Sequence, residues 1–301
     1  MLAAQLAGRA ATVGSLVEAS TALLTQQPLC YGHGTENAAD EAYTLVFDLL
    51  EFSFAESESV WERTIMAQQI EVVANGLKKR IEQRMPLPYI TGTAWFAGLA
   101  FDIDDRALIP RSPIAELIEA GFSPWLAAGG DEAQPRILDL CCGNGCIGIA
   151  AAVYLPHARV DLVDISTCAL LLAEQNIEKH GLQERVQAIQ SDLFAALTGR
   201  QYDVIVSNPP YVPDSRMADL PQEYRHEPAM ALEARDDGMA IVEKILEKSG
   251  NYMKDNGILV VEVGEIMPQL AQRHAALPFT WLEFEHGGEG VFVLNRQDLV
   301  S

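Results

Sequence analysis

Apolar positions along this chain recur with two different periods, helical at first and then switching to short runs separated by helical stretches. Through residues 1 to 85 the spacing is helical. Tyr43, Val46, Phe47 and Leu50 fall at i, i+3, i+4 and i+7, and Ile70, Val73, Leu77 and Ile81 make a second stripe. Ser59 followed by Glu62 has capping-box spacing and predicts the start of the second helix. Met85-Pro86-Leu87-Pro88 ends the last one, since proline cannot continue a helix. Tyr89 to Ile109 mixes aromatic and β-branched residues with the turn signals Thr91-Gly92 and Asp104-Asp105, the composition of a β-hairpin. Leu108 to Ile114 is a stiff turn feeding a helix over Ile114 to Ala120, with Ser112 as its cap and Pro113 at its first position. Gly129-Gly130-Asp131 reads as a flexible break.

From Ile137 onward strands and helices alternate. Strands are predicted at Ile137 to Cys141, Val160 to Val163, Val186 to Ile189, Tyr202 to Val206 and Ile258 to Val263, with helices from Cys146, over Thr167 to His180 and over Gly238 to Ser249. That alternation implies βαβ units, a parallel sheet and an α/β fold. Trp281 to Phe284 and Val291 to Leu294, joined across Gly287-Gly288-Glu289-Gly290, predict a closing hairpin. The expected organisation is a helical domain over 1–85, a hairpin linker over 86–110 and an α/β domain over 111–301.

Two strand ends carry the candidate chemistry. The run Tyr202 to Val206 stops at Ser207-Asn208-Pro209-Pro210-Tyr211. Pro210 restricts Pro209 to extended geometry and Pro209 restricts Asn208, so the Asn208 side chain and its neighbouring carbonyls are held in one direction. An amide oxygen, a backbone carbonyl and the Tyr211 ring together suit a planar NH2 group conjugated to a carbonyl or a ring. The second strand end is Asp139-Leu140-Cys141-Cys142-Gly143-Asn144-Gly145-Cys146, whose glycines let the backbone approach a ligand in front of a helix N-terminus. Gly143-x-Gly145-x-x-Gly148 by itself equally fits a dinucleotide fingerprint. Asp139, however, would repel a pyrophosphate and suits a cationic ligand such as the methionine end of S-adenosylmethionine. Asp164 ends the next strand, placed for ribose hydroxyls. Asp192 follows the third, placed for an adenine amine with Leu193 against the ring. Cys141, Cys142 and Cys146 lack zinc-site spacing and read as small residues in a tight turn rather than a metal site.

Charge changes the picture of partners. With 301 residues, 49% of them hydrophobic, the chain can bury two cores. Its net charge of -21 is the opposite of what a phosphate-backbone grip requires, and it favours a basic protein partner or serves solubility alone. Nine acids against the single base Arg63 lie between Glu36 and Glu71, so the helical domain is expected to show an acidic outer face. Five cysteines, three of them crowded together, are no disulfide framework and imply a reducing compartment. No stretch is long and apolar enough for a membrane span, and the expected location is the cytoplasm.

Asn208-Pro209-Pro210-Tyr211, the glycine loop at Gly143 and Gly145, and the helical N-terminal domain joined by a hairpin resemble the protein glutamine N5-methyltransferases over nearly the whole chain. Leu108 to Ile114 with Trp95-Phe96 is similar to the branch that modifies large-subunit ribosomal protein L-three. The release-factor branch has Arg-Pro-Asp-Thr-Glu where this chain has Arg111-Ser112-Pro113-Ile114-Ala115. The resemblance implies a seven-stranded Rossmann-like class I methyltransferase sheet that uses S-adenosylmethionine and releases S-adenosylhomocysteine. It implies cofactor binding by Cys141, Cys142, Gly143, Asn144, Gly145, Asp164, Leu193 and Asn208, and substrate binding by Asn208, Pro209, Pro210 and Tyr211. Asn208 Oδ1 and the Pro209 carbonyl are expected to accept the two amide hydrogens, and Tyr211 to pack on the amide plane. Cys141 stands where the family's loop usually has its first glycine. Ser112-Pro113-Ile114 implies a less polar site entrance than in the release-factor branch. Three rivals stand beside this reading: an adenine N6-methyltransferase on nucleic acid, which net acidity disfavours; a nicotinamide-dependent oxidoreductase, which leaves Asn208 to Tyr211 unused; and a noncatalytic binding module.

Overall fold

The chain divides into two units in a computed structural model that describes residues 2–126 and 134–300; the break expected at Gly129-Gly130-Asp131 lies outside the described residues. The first unit comprises Met1–Ala94 together with Pro221–His226, and the second comprises Trp95–Leu220 with Glu227–Ser301.

Among the described residues six α-helices build the first unit: α1 (Leu2–Ala7), α2 (Val13–Thr25), α3 (Ala38–Leu49), α4 (Ser57–Trp61), α5 (Ala67–Glu82) and α6 (Leu87–Thr91). Both predicted stripes face its core: Val46 and Phe47 on α3 and Ile70, Val73 and Leu77 on α5 are buried, with Tyr43, Leu50 and Ile81 partly so. Asn37 caps α3, its Oδ1 accepting from the N–H groups of Ala39 and Asp40 at 2.9 and 3.0 Å. The Ser59-Glu62 spacing does not open α5. Ser59 sits inside α4 and its hydroxyl donates to the Glu56 carbonyl, while α5 begins at Ala67, where Gln69 Oε1 accepts from Met66 N–H at 3.0 Å. Five intervening residues are enough to end one short helix before the next starts, and a local motif cannot say which helix it belongs to. The expected hairpin starts later than Tyr89, because Leu87 to Thr91 form α6, where Pro88 is tolerated in the first turn. Its strands are β1 (Thr93–Phe96) and β2 (Leu99–Asp102).

In the second unit, α7 (Ile114–Glu119) leads to the main sheet. In chain order the unit contains β3 (Arg136–Leu140), α8 (Cys146–Tyr154), β4 (Arg159–Asp164), α9 (Thr167–Lys179), β5 (Val186–Gln190) and β6 (Tyr202–Ser207). A small pair, β7 (Val212–Pro213) and β8 (Glu233–Ala234), then precedes α10 (Ala240–Ser249), β9 (Met253–Glu262), α11 (Met267–Arg273), β10 (Thr280–Trp281), β11 (Val291–Asn295) and α12 (Arg296–Leu299). The sheet order is β10-β11-β9-β6-β3-β4-β5. Strands β5, β4, β3, β6 and β9 are mutually parallel, and β11 is antiparallel between β9 and β10. Successive residues on a strand point to opposite faces, and both faces are covered. Ile137, Val160 and Val204 join one core, while Leu138, Val163 and Ile205 join the other. This double burial is why the strands read as continuous apolar runs. Helix α8 is apolar all round because it is buried from Cys146 to Ala152. The predicted closing hairpin is real but short on one side: only Thr280 and Trp281 are in strand, paired with Val293 and Phe292.

Candidate active site

The carboxyl ends of β3, β4, β5 and β6 open on a cavity of about 260 Å³ in the second unit. Its wall includes Cys141, Gly143, Asp164, Asp192, Leu193, Asn208 and Pro210, so residues from four strand ends that are far apart in sequence converge there.

The three glycines do two different jobs. Gly143 has φ +57°, and the nearest atom to a Cβ added there would be 3.9 Å away, so it leaves open space toward the cavity. At Gly148 the same Cβ would stand 2.2 Å from Leu162 Cδ2, so this glycine serves the contact of α8 with the sheet. Gly145 is crowded by Leu162, Ile149 and Ala173 in the same way and does not line the cavity. Cys141 lines the cavity and adopts φ +59°, the left-handed region that the usual glycine would enter freely and that costs an L-residue roughly 1 kcal/mol or more.

Asp164 is built into the site by two backbone donors: Gly143 N–H to Oδ2 at 2.9 Å and Ser166 N–H to Oδ1 at 2.8 Å. Burial raises its carboxyl pKa while these bonds pull it down. Asp164 lines the cavity, and a carboxylate oxygen can accept more than one hydrogen bond, the chemistry that a vicinal diol needs. Leu193, at φ +49°, is buried beside exposed Asp192.

Other expected residues are placed elsewhere. Asp139 is fully buried and does not reach the cavity. Its Oδ2 accepts from Gly148 N–H at 2.8 Å, and its Oδ1 has no partner. Burial pushes its carboxyl up to about 8, the Gly148 bond pulls it down and Asp164 nearby pushes it further up. The carboxyl expected to meet a cationic ligand therefore faces α8 and favours its neutral form at neutral pH, because burial disfavours the charge. Cys142 is packed in the core, and buried Asn144 ties the loop together, its Oδ1 accepting from Cys146 N–H at 3.3 Å. Pro209 is buried. Tyr211 does not line the cavity with Asn208 and Pro210; its hydroxyl donates to Glu262 Oε1 at 3.0 Å. Ser112 and Ile114 are buried too, so the departure at Ser112-Pro113-Ile114 is not at an exposed entrance. Ser112 Oγ accepts from Ile114 N–H at 3.2 Å and donates to Glu262 Oε2, but the N-cap of α7 is Pro113, one residue later than the cap expected at Ser112.

Several wall residues had no signal in the sequence. Pro228, Met230 and Ala231 come from the excursion between β7 and β8, Glu233 from the start of β8, and Ile241 from α10. Arg106 contributes a cation already held by Asp104, at 2.8 and 2.7 Å. Asn176, fully buried on α9, donates to the Asp102 and Asn144 carbonyls at 3.0 Å each and so clamps the glycine loop to β2. An asparagine in mid-helix facing the core was the one available hint. Among the described residues no cluster of three or more His, Cys, Asp or Glu side chains could hold a metal ion.

Strand order, an antiparallel strand inserted next to the edge, and a glycine loop and acid at adjacent strand ends define a class I methyltransferase domain. Residues 126–233 match the methyltransferase small domain. The chain is 43% identical over 290 residues to the ribosomal protein uL3 glutamine methyltransferase of Francisella tularensis, covering 96% of this chain and 92% of that one. To the protein of the same name in Xanthomonas campestris it is 44% identical over 291 residues, covering 96% and 93%. The chain belongs to the ribosomal protein uL3 glutamine methyltransferase family. Among solved structures, the hMettl16 catalytic domain in complex with the MAT2A 3′UTR hairpin 6 has a TM-score of 0.53 at 15% identity, covering 80% of this chain and 87% of that one. That likeness concerns the fold alone.

Proposed function

We propose that this protein transfers a methyl group from S-adenosylmethionine to the side-chain amide nitrogen of a glutamine in ribosomal protein uL3, leaving S-adenosylhomocysteine and one amide proton, which passes to solvent. The observation that carries the reading is the cavity in which Gly143, Asp164 and Leu193 share a wall with Asn208. The residues present fit the donor: an open glycine with positive φ, a carboxylate with spare acceptors and an apolar ledge at Leu193 suit a backbone-hugging nucleoside. Gly143, Asp164, Asp192 and Leu193 would hold it, with Cys141 and Asn208 beside them. When bound, it supplies an electrophilic methyl group on a sulfonium.

The chain's own part is to prepare the acceptor. An amide nitrogen is a poor nucleophile because its lone pair is delocalised into the carbonyl. In this reading Asn208 Oδ1 and the Pro209 carbonyl accept the two amide hydrogens, turn the nitrogen toward the donor and favour the charge that develops on it. The two prolines limit how far these acceptors move, so little entropy remains to be lost at the reacting centre. The helical domain is the proposed recognition unit, and the net charge of -21 supports a basic protein as partner and no direct contact with nucleic acid. Five unpaired cysteines support the cytoplasm as its location, and among the described residues no helix is long and apolar enough to cross a membrane.

The test is to offer purified enzyme uL3, a release factor and nucleic acid with labelled donor at low and high ionic strength. Label on a uL3 glutamine, reduced at high salt as surface charges are screened, is expected. Asn208→Ala should lower kcat on the order of a hundredfold, with donor affinity by calorimetry largely retained. Preference for the release factor overturns the substrate, and label on nucleic acid alone overturns the chemistry as well.

A further inference from the structure

Glu262 is the last residue of β9, 6% exposed, and plays no part in the chemistry described above. Its two carboxylate oxygens each accept from a hydroxyl carried by a different segment: Oε1 from Tyr211 at 3.0 Å and Oε2 from Ser112. Tyr211 is the last residue of the Asn208 loop. Its ring lies against Gly264, where an added Cβ would stand 2.7 Å from Tyr211 Cε2. Ser112 is fixed in turn by the start of α7, since its Oγ accepts from Ile114 N–H. The turn before it is tied down by Glu227, also buried, whose Oε2 accepts from Ile109 N–H at 3.0 Å and from Arg111 Nη1 at 2.9 Å.

We infer that Glu262 is a positioning residue for the Asn208 to Tyr211 loop, a buried joint acceptor through which the Ser112 turn and the sheet set where the loop's acceptors point. The proposal rests on the reading of that loop as the acceptor-amide site. A carboxylate is suited to this task because it accepts at both oxygens without donating, so the two hydroxyls must both orient toward it. Its burial makes the alternative costly, because an unmatched partner there has no water to turn to. Ser112 acquires a function on the same geometry. The position where this chain departs from the release-factor pattern lies one hydrogen bond from Glu262 and two from Tyr211, so a change in that turn reaches the loop from beneath.

Glu262→Gln is the direct perturbation: an amide offers one acceptor and one donor, so one of the two hydroxyls faces an NH2 group. Tyr211→Phe removes the loop's hydroxyl alone and is the variant whose folding is least at risk. Each variant and the double variant are measured on full-length enzyme for kcat and KM with uL3, for donor affinity by calorimetry and for thermal stability. The expected result is a kcat lowered roughly tenfold or more in either single variant, since a small misplacement of an oriented group costs that much in rate. Donor affinity and KM stay near those of the unmodified enzyme. In the Tyr211→Phe background Glu262→Gln should cost little further, because the two act through one bond. Lower stability with kcat unchanged below the melting point, or additive losses in the double variant, overturns the proposal. Absence of turnover by the unmodified enzyme overturns the acceptor-site reading and the proposal with it, and that outcome is seen before any variant is compared.

Discussion

Arg80, on α5, is 1% exposed and carries the buried charge on which the first unit depends. Its Nε donates to Glu41, its Nη1 to Glu223 Oε1 at 3.1 Å and its Nη2 to the Cys30 carbonyl at 2.7 Å. Both carboxylates are nearly as buried as the guanidinium. Arg80→Met keeps much of the volume and removes the charge, leaving buried Glu41 without its paired cation and Glu223 with Arg84 at 3.5 Å in place of two guanidinium groups. Breaking a buried pair in this way costs about 3 to 5 kcal/mol, most of it the desolvation penalty of the buried charge left behind. At ~2 °C per kcal/mol for a chain of a few hundred residues, the melting temperature should drop by at least about 6 °C. The pH dependence gives the mechanism away. Burial already raises the Glu41 pKa against the pull of Arg80, and without Arg80 it rises further. A carboxyl whose folded pKa lies above its unfolded one carries no penalty below the unfolded value, and its contribution to stability is lost as pH rises through the folded value. The variant should therefore lie closest to the unmodified protein in mild acid and fall behind toward neutral pH. Glu41→Gln and Glu223→Gln added to Arg80→Met should recover much of the loss. Calorimetric melts across pH are the assay, and a loss under about 2 °C, or one constant with pH, refutes the reasoning.

Asp164→Ala should weaken S-adenosylmethionine binding by about 1.5 to 3 kcal/mol for each charge-assisted bond lost, and unchanged affinity in calorimetry would remove Asp164 from the donor site. Asp139, pushed up to about 8 by burial, takes up a proton on folding, so the ligand-free enzyme should lose stability as pH rises from the ordinary carboxylate range to about 8. Asp139→Asn keeps an acceptor for Gly148 N–H and should flatten that slope, by on the order of 1 kcal/mol per pH unit in urea melts; parallel profiles for the two proteins would refute the assignment.

Local sequence was enough for whatever depends on neighbours in the chain. The helical stripes at Tyr43 to Leu50 and Ile70 to Ile81, the strand and helix alternation from Ile137, and the rigid Asn208-Pro209-Pro210 loop at a strand end all follow from periodicity and from proline's fixed backbone. The glycine loop was legible too, but not the division of labour within it, because Gly143 and Gly148 differ only in what stands opposite: open space at one, Leu162 at the other. Tertiary structure alone decided the rest. Glu41 belonged to an acidic stretch expected outside, and it turned inward because Arg80, 39 residues along the chain, meets it there, with Arg80 held in turn by Glu223, 143 residues further on. Tyr211 was expected against the acceptor amide, and only the fold shows that its hydroxyl donates to Glu262, 51 residues away, which in turn accepts from Ser112, 150 residues from Glu262. The walls at Pro228, Met230 and Ala231 arise from an excursion with no periodicity to read. A single side chain meeting a distant partner leaves no repeat in the sequence. Its position is set by where the packed strands end, and that is fixed only once both faces of the sheet are buried.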